Sequence, residues 1–273
     1  MTAIRIFYRT ISAAWLFIIP LAAEAQVTIK DIPKKNVTDT VKKDPSTAPD
    51  TLKKLCSNPL SLVPPAVAIG YGVSSFTIHP IRRVDYYFYS LTQRTDAGFH
   101  SKVESYLEFG PIAMVYGLNL VGVEGKNRFI DRTALLGLSA GIFGVTGYIT
   151  KYATHRLRPD GSDYFSFPSA HTAAAFMGAE FLAQEYSEDS PVYTIIGYSM
   201  AVATGIFRMY NRDHWFSDVV AGAGFGVLSA KASYLIYPYI RDWFTHKDKR
   251  GRGAMIMPAY QDGAVGLAFA KDL

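Results

Sequence analysis

Cysteine is nearly missing from this chain: Cys56 is the one thiol in 273 residues. An intrachain disulfide is excluded, the count leaves the redox compartment open, and Cys56 lies too far from the N-terminus to be a lipid-attachment cysteine. An excess of one charge is missing too. Lys and Arg number 28 against 23 Asp and Glu, a formal net charge of +5. That is too weak for a nucleic-acid-binding footprint, yet compatible with anionic membranes or anionic substrates. What the chain has is apolar mass: 49% hydrophobic and 14% aromatic residues exclude a disordered protein. One core of about 200 residues with tails is expected.

The opening stretch, MTAIRIFYRTISAAWLFIIPLAAEAQ, joins Arg5 and Arg9 to an apolar run from Ile11 to Ala22 and the small-residue site Ala23-Glu24-Ala25. It reads as a secretory signal (1–25) cut after Ala25, with an uncleaved anchor helix as the alternative. Cleavage removes two arginines and one glutamate and lowers the net charge to +4. Residues 26–58 are rich in Lys, Asp, Thr and Pro. They hold too few large apolar groups to offset the entropy of ordering and read as a polar linker.

From 59 to 240 the pattern becomes six apolar segments: Leu60–Thr77, Phe109–Val123, Ala134–Thr150, Ala170–Leu182, Val192–Phe207 and Val219–Tyr239. Their length and their Ala, Leu and Met content predict an all-α, six-helix bundle. Gly137 with Gly141, and Gly222 with Gly226, are spaced to let helices approach closely. Residues 241–273 start with the basic run RDWFTHKDKRGRG. They end in an expected short β-hairpin, with Asp262-Gly263 as the turn and Val265, Leu267 and Phe269 alternating.

Three stretches carry chemistry. KYATHRLRP sets Lys151 seven residues before Arg158, two cations expected on one helix face ahead of Pro159. FPSAH puts Ser169, Ala170 and His171 at a helix N-terminus, where free N–H groups and the helix dipole suit an anion. RMYNRDHWFSDVVAG sets Arg208 six residues before His214, with Asp218 four residues further on. A carboxylate there can hold one imidazole nitrogen and leave the other free to attack. In an up-and-down bundle all three stretches fall at the same end. Taken singly, each also has a structural explanation: a basic flank, a Ser N-cap, an i,i+4 ion pair.

Together they resemble the type 2 phosphatidic acid phosphatase superfamily, which includes bacterial acid phosphatases, lipid phosphatases and vanadium-dependent haloperoxidases. Lys151, Arg158, Pro159, Pro168, Ser169, His171, Arg208, His214 and Asp218 match its pattern, while Ala170 stands for the usual glycine and Phe207 for the usual serine. The resemblance implies a helical bundle of that family and a phosphatase without cofactor or metal. In it Lys151, Arg158, Arg208 and the N–H groups around Ser169 and Ala170 hold the phosphoryl oxygens, His214 oriented by Asp218 attacks, and His171 protonates the leaving oxygen. His155, Arg156 and Asp213 are variable positions of the pattern and are set aside. Trp215 and Phe216 are expected to pack the helix start or meet an apolar leaving group, and Tyr86, Tyr87 and Tyr89 to form core or an interfacial patch.

The implied substrate is a phosphorylated lipid of the bacterial envelope, such as phosphatidic acid, polyprenyl pyrophosphate or lipid A. Small phosphomonoesters, a bound vanadate and a non-catalytic role are the alternatives. Export to the envelope, periplasmic or in the membrane, is expected, and protein partners stay open. Pro64 and Pro65 interrupt the first apolar segment. A six-span reading also sets two topology cues against each other: a cleaved leader puts the site inside, whereas the basic run Arg241–Arg252 puts it outside.

Overall fold

The computed structural model describes residues 59–96, 98–244, 254–261 and 264–271. The expected leader and linker at 1–58 and the Asp262-Gly263 turn lie outside the described residues. A short 3-10 turn, Pro59–Leu62, leads into α1 (Val63–Ser74), followed by α2 (His79–Thr95), α3 (Val103–Leu107), α4 (Gly110–Leu120) and α5 (Phe129–Thr154). Then come α6 (Ala170–Tyr186), α7 (Pro191–Tyr210), α8 (Phe216–Phe244), β1 (Ala254–Gln261) and β2 (Ala264–Lys271). The strands pair antiparallel, from Ala254 opposite Lys271 to Gln261 opposite Ala264.

Each of the six apolar segments forms a helix, namely α1 and α4 to α8. Two further helices, α2 and α3, occupy the polar stretch after α1, so the described bundle is larger than the expected six. Pro64 and Pro65 do not break α1. They fall in its first turn, where the absent N–H would have no intrahelical partner anyway. Pro80, Pro111 and Pro191 open α2, α4 and α7 in the same way.

α6 is the central helix, packed chiefly against α8 and α7 and then α4. Phe181 and Leu182 on α6 are fully buried with Val115, Leu135 and Tyr234, each side chain contributing about 1.5–3 kcal/mol on leaving water. Higher on the same helix, Ala175 and Ala179 meet Ala201 of α7. Small residues also set the α6–α8 distance. A Cβ on Gly222 would stand 2.6 Å from the Ser169 carbonyl oxygen, and one on Gly226 would stand 2.2 Å from that of Ala173. Gly137 and Gly141 differ: nothing lies within 4 Å of a Cβ at either. The close approach expected on α5 is therefore absent, because its glycines face away from the other helices.

Charged residues inside the bundle are paired. At the end of the bundle opposite Lys151, Arg132 Nε lies 3.1 Å from Glu185 Oε2, both side chains fully buried. Midway, Lys231 Nζ lies 2.8 Å from Glu180 Oε1. The outside of the bundle is apolar where a water-soluble protein would be polar. α5, α7 and α8 are long and apolar enough to cross a membrane, yet only 17%, 28% and 44% of their most apolar windows are buried inside the protein. Val145, Tyr148 and Ile149 of α5 are all more than 60% exposed. A helix apolar on its unburied face needs a non-aqueous neighbour, and three such helices indicate membrane association. α1 with its 3-10 turn meets α2 at 90° and adds a fourth candidate span only if that bent pair counts as one.

Candidate active site

The three motif stretches meet at one end of the bundle. α5 stops at Thr154 because His155 turns left-handed, with φ 43°. Arg158 therefore stands on the loop after α5, not on a further turn of it, which corrects the expectation of a shared helix face with Lys151. The loop returns Arg158 to the site: its Nε donates to Asp163 Oδ1 at 2.8 Å, and its Nη1 lies 3.7 Å from Asp213 Oδ1. Arg208, in the last turn of α7, puts Nη1 2.9 Å from the other oxygen of Asp213 and 3.4 Å from Glu104 Oε1. Asp213 thus gathers two of the three cations. Lys151 arrives from another side, its Nζ donating to the Phe165 carbonyl at 2.6 Å.

The next carbonyl along the loop holds the histidine. His214 Nδ1 lies 2.7 Å from the Ser166 carbonyl oxygen. A carbonyl only accepts, so Nδ1 carries the proton and, in the neutral ring, Nε2 keeps its lone pair. Burial holds the His214 pKa well below its ordinary value, and the fields of Arg208, Lys151 and Arg158 push it the same way. The partner of Nδ1 is not the expected one. Asp218 Oδ2 is 3.9 Å from it, because that oxygen already accepts from the Ser166 hydroxyl at 2.5 Å and the Trp215 N–H at 2.9 Å. Asp218 reaches His214 through Ser166.

At the start of α6, Ser169 makes no side-chain cap bond. Its hydroxyl accepts from the Thr172 hydroxyl at 2.9 Å, and its own N–H is donated to the Asp218 carbonyl at 3.1 Å. Ser169 is fully buried, and these two bonds fix the turn that opens α6. The N–H groups of Ala170 and His171 follow it without a capping side chain and carry the positive end of the α6 dipole. His171 is pulled down to about 4, by burial first and then by Arg208, Arg158 and Lys151. The same three cations act on both histidines, so the five groups form one constellation.

Residues 132–242 match the family model of the PAP2 superfamily. The chain thus resembles the PAP2 superfamily over that segment. It is 36% identical to the lipid A 1-phosphatase of Porphyromonas gingivalis over 144 residues, 52% of this chain and 32% of that protein. It is 35% identical to a probable lipid phosphate phosphatase 4 of Arabidopsis thaliana over 98 residues, 30% of this chain and 32% of that one. The matched region thus spans about a third of the length of each curated relative. A crystal structure of Aquifex aeolicus LpxE is similar at 21% identity with a TM-score of 0.39, over 53% of this chain and 92% of that one.

Several groups of this site escaped the sequence. Arg156, set aside as variable, donates through Nη1 to Asp218 Oδ1 at 2.6 Å and to the Ser217 hydroxyl at 2.8 Å, while Nη2 lies 2.6 Å from Asp85 Oδ2. Its guanidinium stands over the rings of Phe76 and Trp215. Asp85 comes from α2 and also accepts the Ser217 N–H at 2.8 Å. Asp213, likewise set aside, bridges Arg158 and Arg208, whereas His155 turns to the Tyr152 carbonyl, 3.1 Å from Nδ1. Trp215 and Phe216 pack against α2: Phe216 stacks on Phe88 at 4.4 Å, and Trp215 meets Tyr86 and Tyr89. Tyr86 and Tyr87 are largely exposed. The PSAH and RDH spacings flag the histidines, but Asp85 sits in an aromatic run, VDYYFYS, with no motif around it.

Proposed function

We propose that the protein is a membrane-associated phosphatase that releases phosphate from a phosphorylated lipid of the bacterial envelope through a phosphohistidine on His214. The observation carrying this reading is the buried, neutral His214, whose Nδ1–H is held by the Ser166 carbonyl and whose Nε2 is left as the nucleophile. Lys151, Arg158 and Arg208 neutralise charge on the phosphoryl oxygens as the transition state spreads it, helped by the Ala170 and His171 N–H groups. Arg208 Nε is buried with no hydrogen-bond partner, a donor held in reserve for such an oxygen.

Attack by Nε2 forms a P–N bond as the P–O bond to the leaving group breaks, and His171 gives that oxygen its proton. Water then hydrolyses the P–N bond. Asp218 orients His214 at one remove, through Ser166. The cations supply the charge, so activity is expected to persist in chelator.

The lipid assignment rests on the unburied apolar faces of α5, α7 and α8 and on relatives named for lipid A and lipid phosphates. Lipid A, phosphatidic acid and polyprenyl pyrophosphate are the candidates. The N-terminal pattern supports export. The test is phosphate release by detergent-solubilised membranes from each lipid and from a water-soluble phosphomonoester, wild type against His214→Ala with EDTA present. Release confined to the soluble ester and the soluble fraction overturns the lipid reading. Loss of activity in EDTA, restored by a divalent ion, overturns the metal-free chemistry.

A further inference from the structure

The neutral state of His171 raises a question about the reaction proposed above: a leaving alkoxide must be protonated, yet burial and the fields of the three cations keep a second proton off this imidazole. The residue that faces it answers. Glu108, between α3 and α4, places Oε1 3.8 Å from His171 Nε2. It is buried, 8% exposed, and lies in the fields of Arg208 of α7 and Glu104 of α3. We propose that Glu108 is the proton source for the leaving group, acting through His171 as a relay. The inference rests on the phosphatase reading.

The electrostatics agree with the geometry. Burial pushes the Glu108 carboxyl up to about 7, Arg208 opposes that rise and Glu104 adds to it. His171 is lowered to about 4 by burial and then by the fields of Arg208, Arg158 and Lys151. The usual order of a carboxylate–histidine pair is inverted, so below about pH 7 the proton of the pair resides on the carboxyl. Hydrogen bonds of catalytic pairs commonly tighten only in the substrate complex. Closing the 3.8 Å gap by about an ångström makes this one.

Each proton has a destination. As His214 Nε2 bonds to phosphorus and the P–O bond breaks, the leaving oxygen takes the proton from His171 Nδ1, and His171 Nε2 takes the proton of Glu108. The imidazole stays neutral with its tautomer switched, and Glu108 becomes a carboxylate. In the second half, water attacks phosphorus, the P–N bond breaks, His171 Nδ1 accepts the water proton and Nε2 returns its own to Glu108. Glu108 touches no reacting atom and is a positioning and relay residue.

The experiment compares two esters on the full-length protein in detergent: dodecyl phosphate, whose alkoxide must be protonated, and p-nitrophenyl phosphate, whose phenolate leaves unaided. His171→Ala sets the scale for loss of the general acid. Glu108→Gln is expected to lower kcat on dodecyl phosphate about 10²-fold with KM little changed, to leave p-nitrophenyl phosphate within about threefold, and to remove the fall of kcat above about pH 7. Glu108→Asp should show the same ester selectivity with a smaller loss, and stands in if the glutamine variant does not fold. Equal loss on both esters, or no loss, overturns the relay while the phosphatase reading stands. No turnover of either ester by wild type overturns both.

Discussion

Asp218 Oδ1 lies 2.6 Å from Arg156 Nη1, while the nearest approach of that carboxylate to His214 is 3.9 Å. The aspartate expected to grip the histidine is instead the hub of a scaffold. One oxygen is tied to Arg156, and through it to Asp85 on α2. The other is tied to Ser166 and Trp215. Since the Ser166 carbonyl fixes the tautomer of His214, the α2 helix and His214 are joined by a continuous set of hydrogen bonds.

Arg156→Met is therefore expected to lower kcat by about 10–100-fold with a smaller change in KM, the usual cost of losing an outer orienting partner. It should also destabilise the protein by about 3–5 kcal/mol by leaving two buried carboxylates unpaired. Asp85→Asn acts on the same network, so its effect on kcat should not add to that of Arg156→Met. Steady-state kinetics with thermal unfolding of the single and double variants measures both. Additive losses would separate Arg156 from Asp85.

His214→Ala should lower turnover by at least about 10³-fold, as removing a nucleophile does elsewhere. Labelled substrate quenched in alkali should leave an acid-labile phosphoryl group on the wild type and none on His214→Ala. His171→Ala should accumulate no less of the adduct from an activated ester than wild type, because its loss spares bond formation when the leaving group needs no proton. A labelled His214→Ala protein would move the nucleophile to another residue.

The legible part of this protein was what depends on runs and fixed spacings. Six apolar runs became six helices, and Lys151, His171, Arg208 and His214 lie at one end because their spacings from the helix ends put them there. α2 and α3 were illegible because neither contains an apolar run. α2 buries polar residues, Asp85 and Thr92, and α3 is only five residues long. Asp85, Glu104 and Glu108 were missed with them, being isolated carboxylates whose meaning depends on which cation or histidine the fold brings near. Arg158 was found but misplaced, since nothing local announces that His155 ends α5 one turn early. Arg156 was discounted because a residue serving another side chain has no spacing of its own.

The same groups make stability depend on pH. Both histidines have folded-state pKa values below the unfolded 6.5. As pH falls through 6.5 the unfolded chain gains protons that the folded one refuses, and stability is lost down to about pH 4 for His171. Glu108, raised to about 7 from 4.5, acts oppositely, losing stability as pH rises through that window. Thermal unfolding between pH 5 and 6.5 should show His171→Asn with a pH slope about one proton shallower than wild type, and Glu108→Gln about one proton steeper. Unchanged slopes would mean that these groups titrate alike folded and unfolded.

Two pairs of glycines with the same spacing should respond in opposite ways. Gly222→Ala drives a methyl to within 2.6 Å of the Ser169 carbonyl oxygen, and Gly226→Ala drives one to within 2.2 Å of that of Ala173. Each atom belongs to helix backbone and cannot swing aside, so each substitution should cost about 1–3 kcal/mol of stability. The consequences for activity differ. Ser169 precedes the Ala170 and His171 N–H groups, so Gly222→Ala should also lower kcat/KM in the folded protein, whereas Gly226→Ala, one turn further from the site, should spare it. Gly137→Ala and Gly141→Ala meet open space and should raise stability by up to about 1 kcal/mol through helix propensity alone. Denaturant midpoints for the four variants, with kcat/KM for the first two, test whether the α6–α8 contact holds both the bundle and the site.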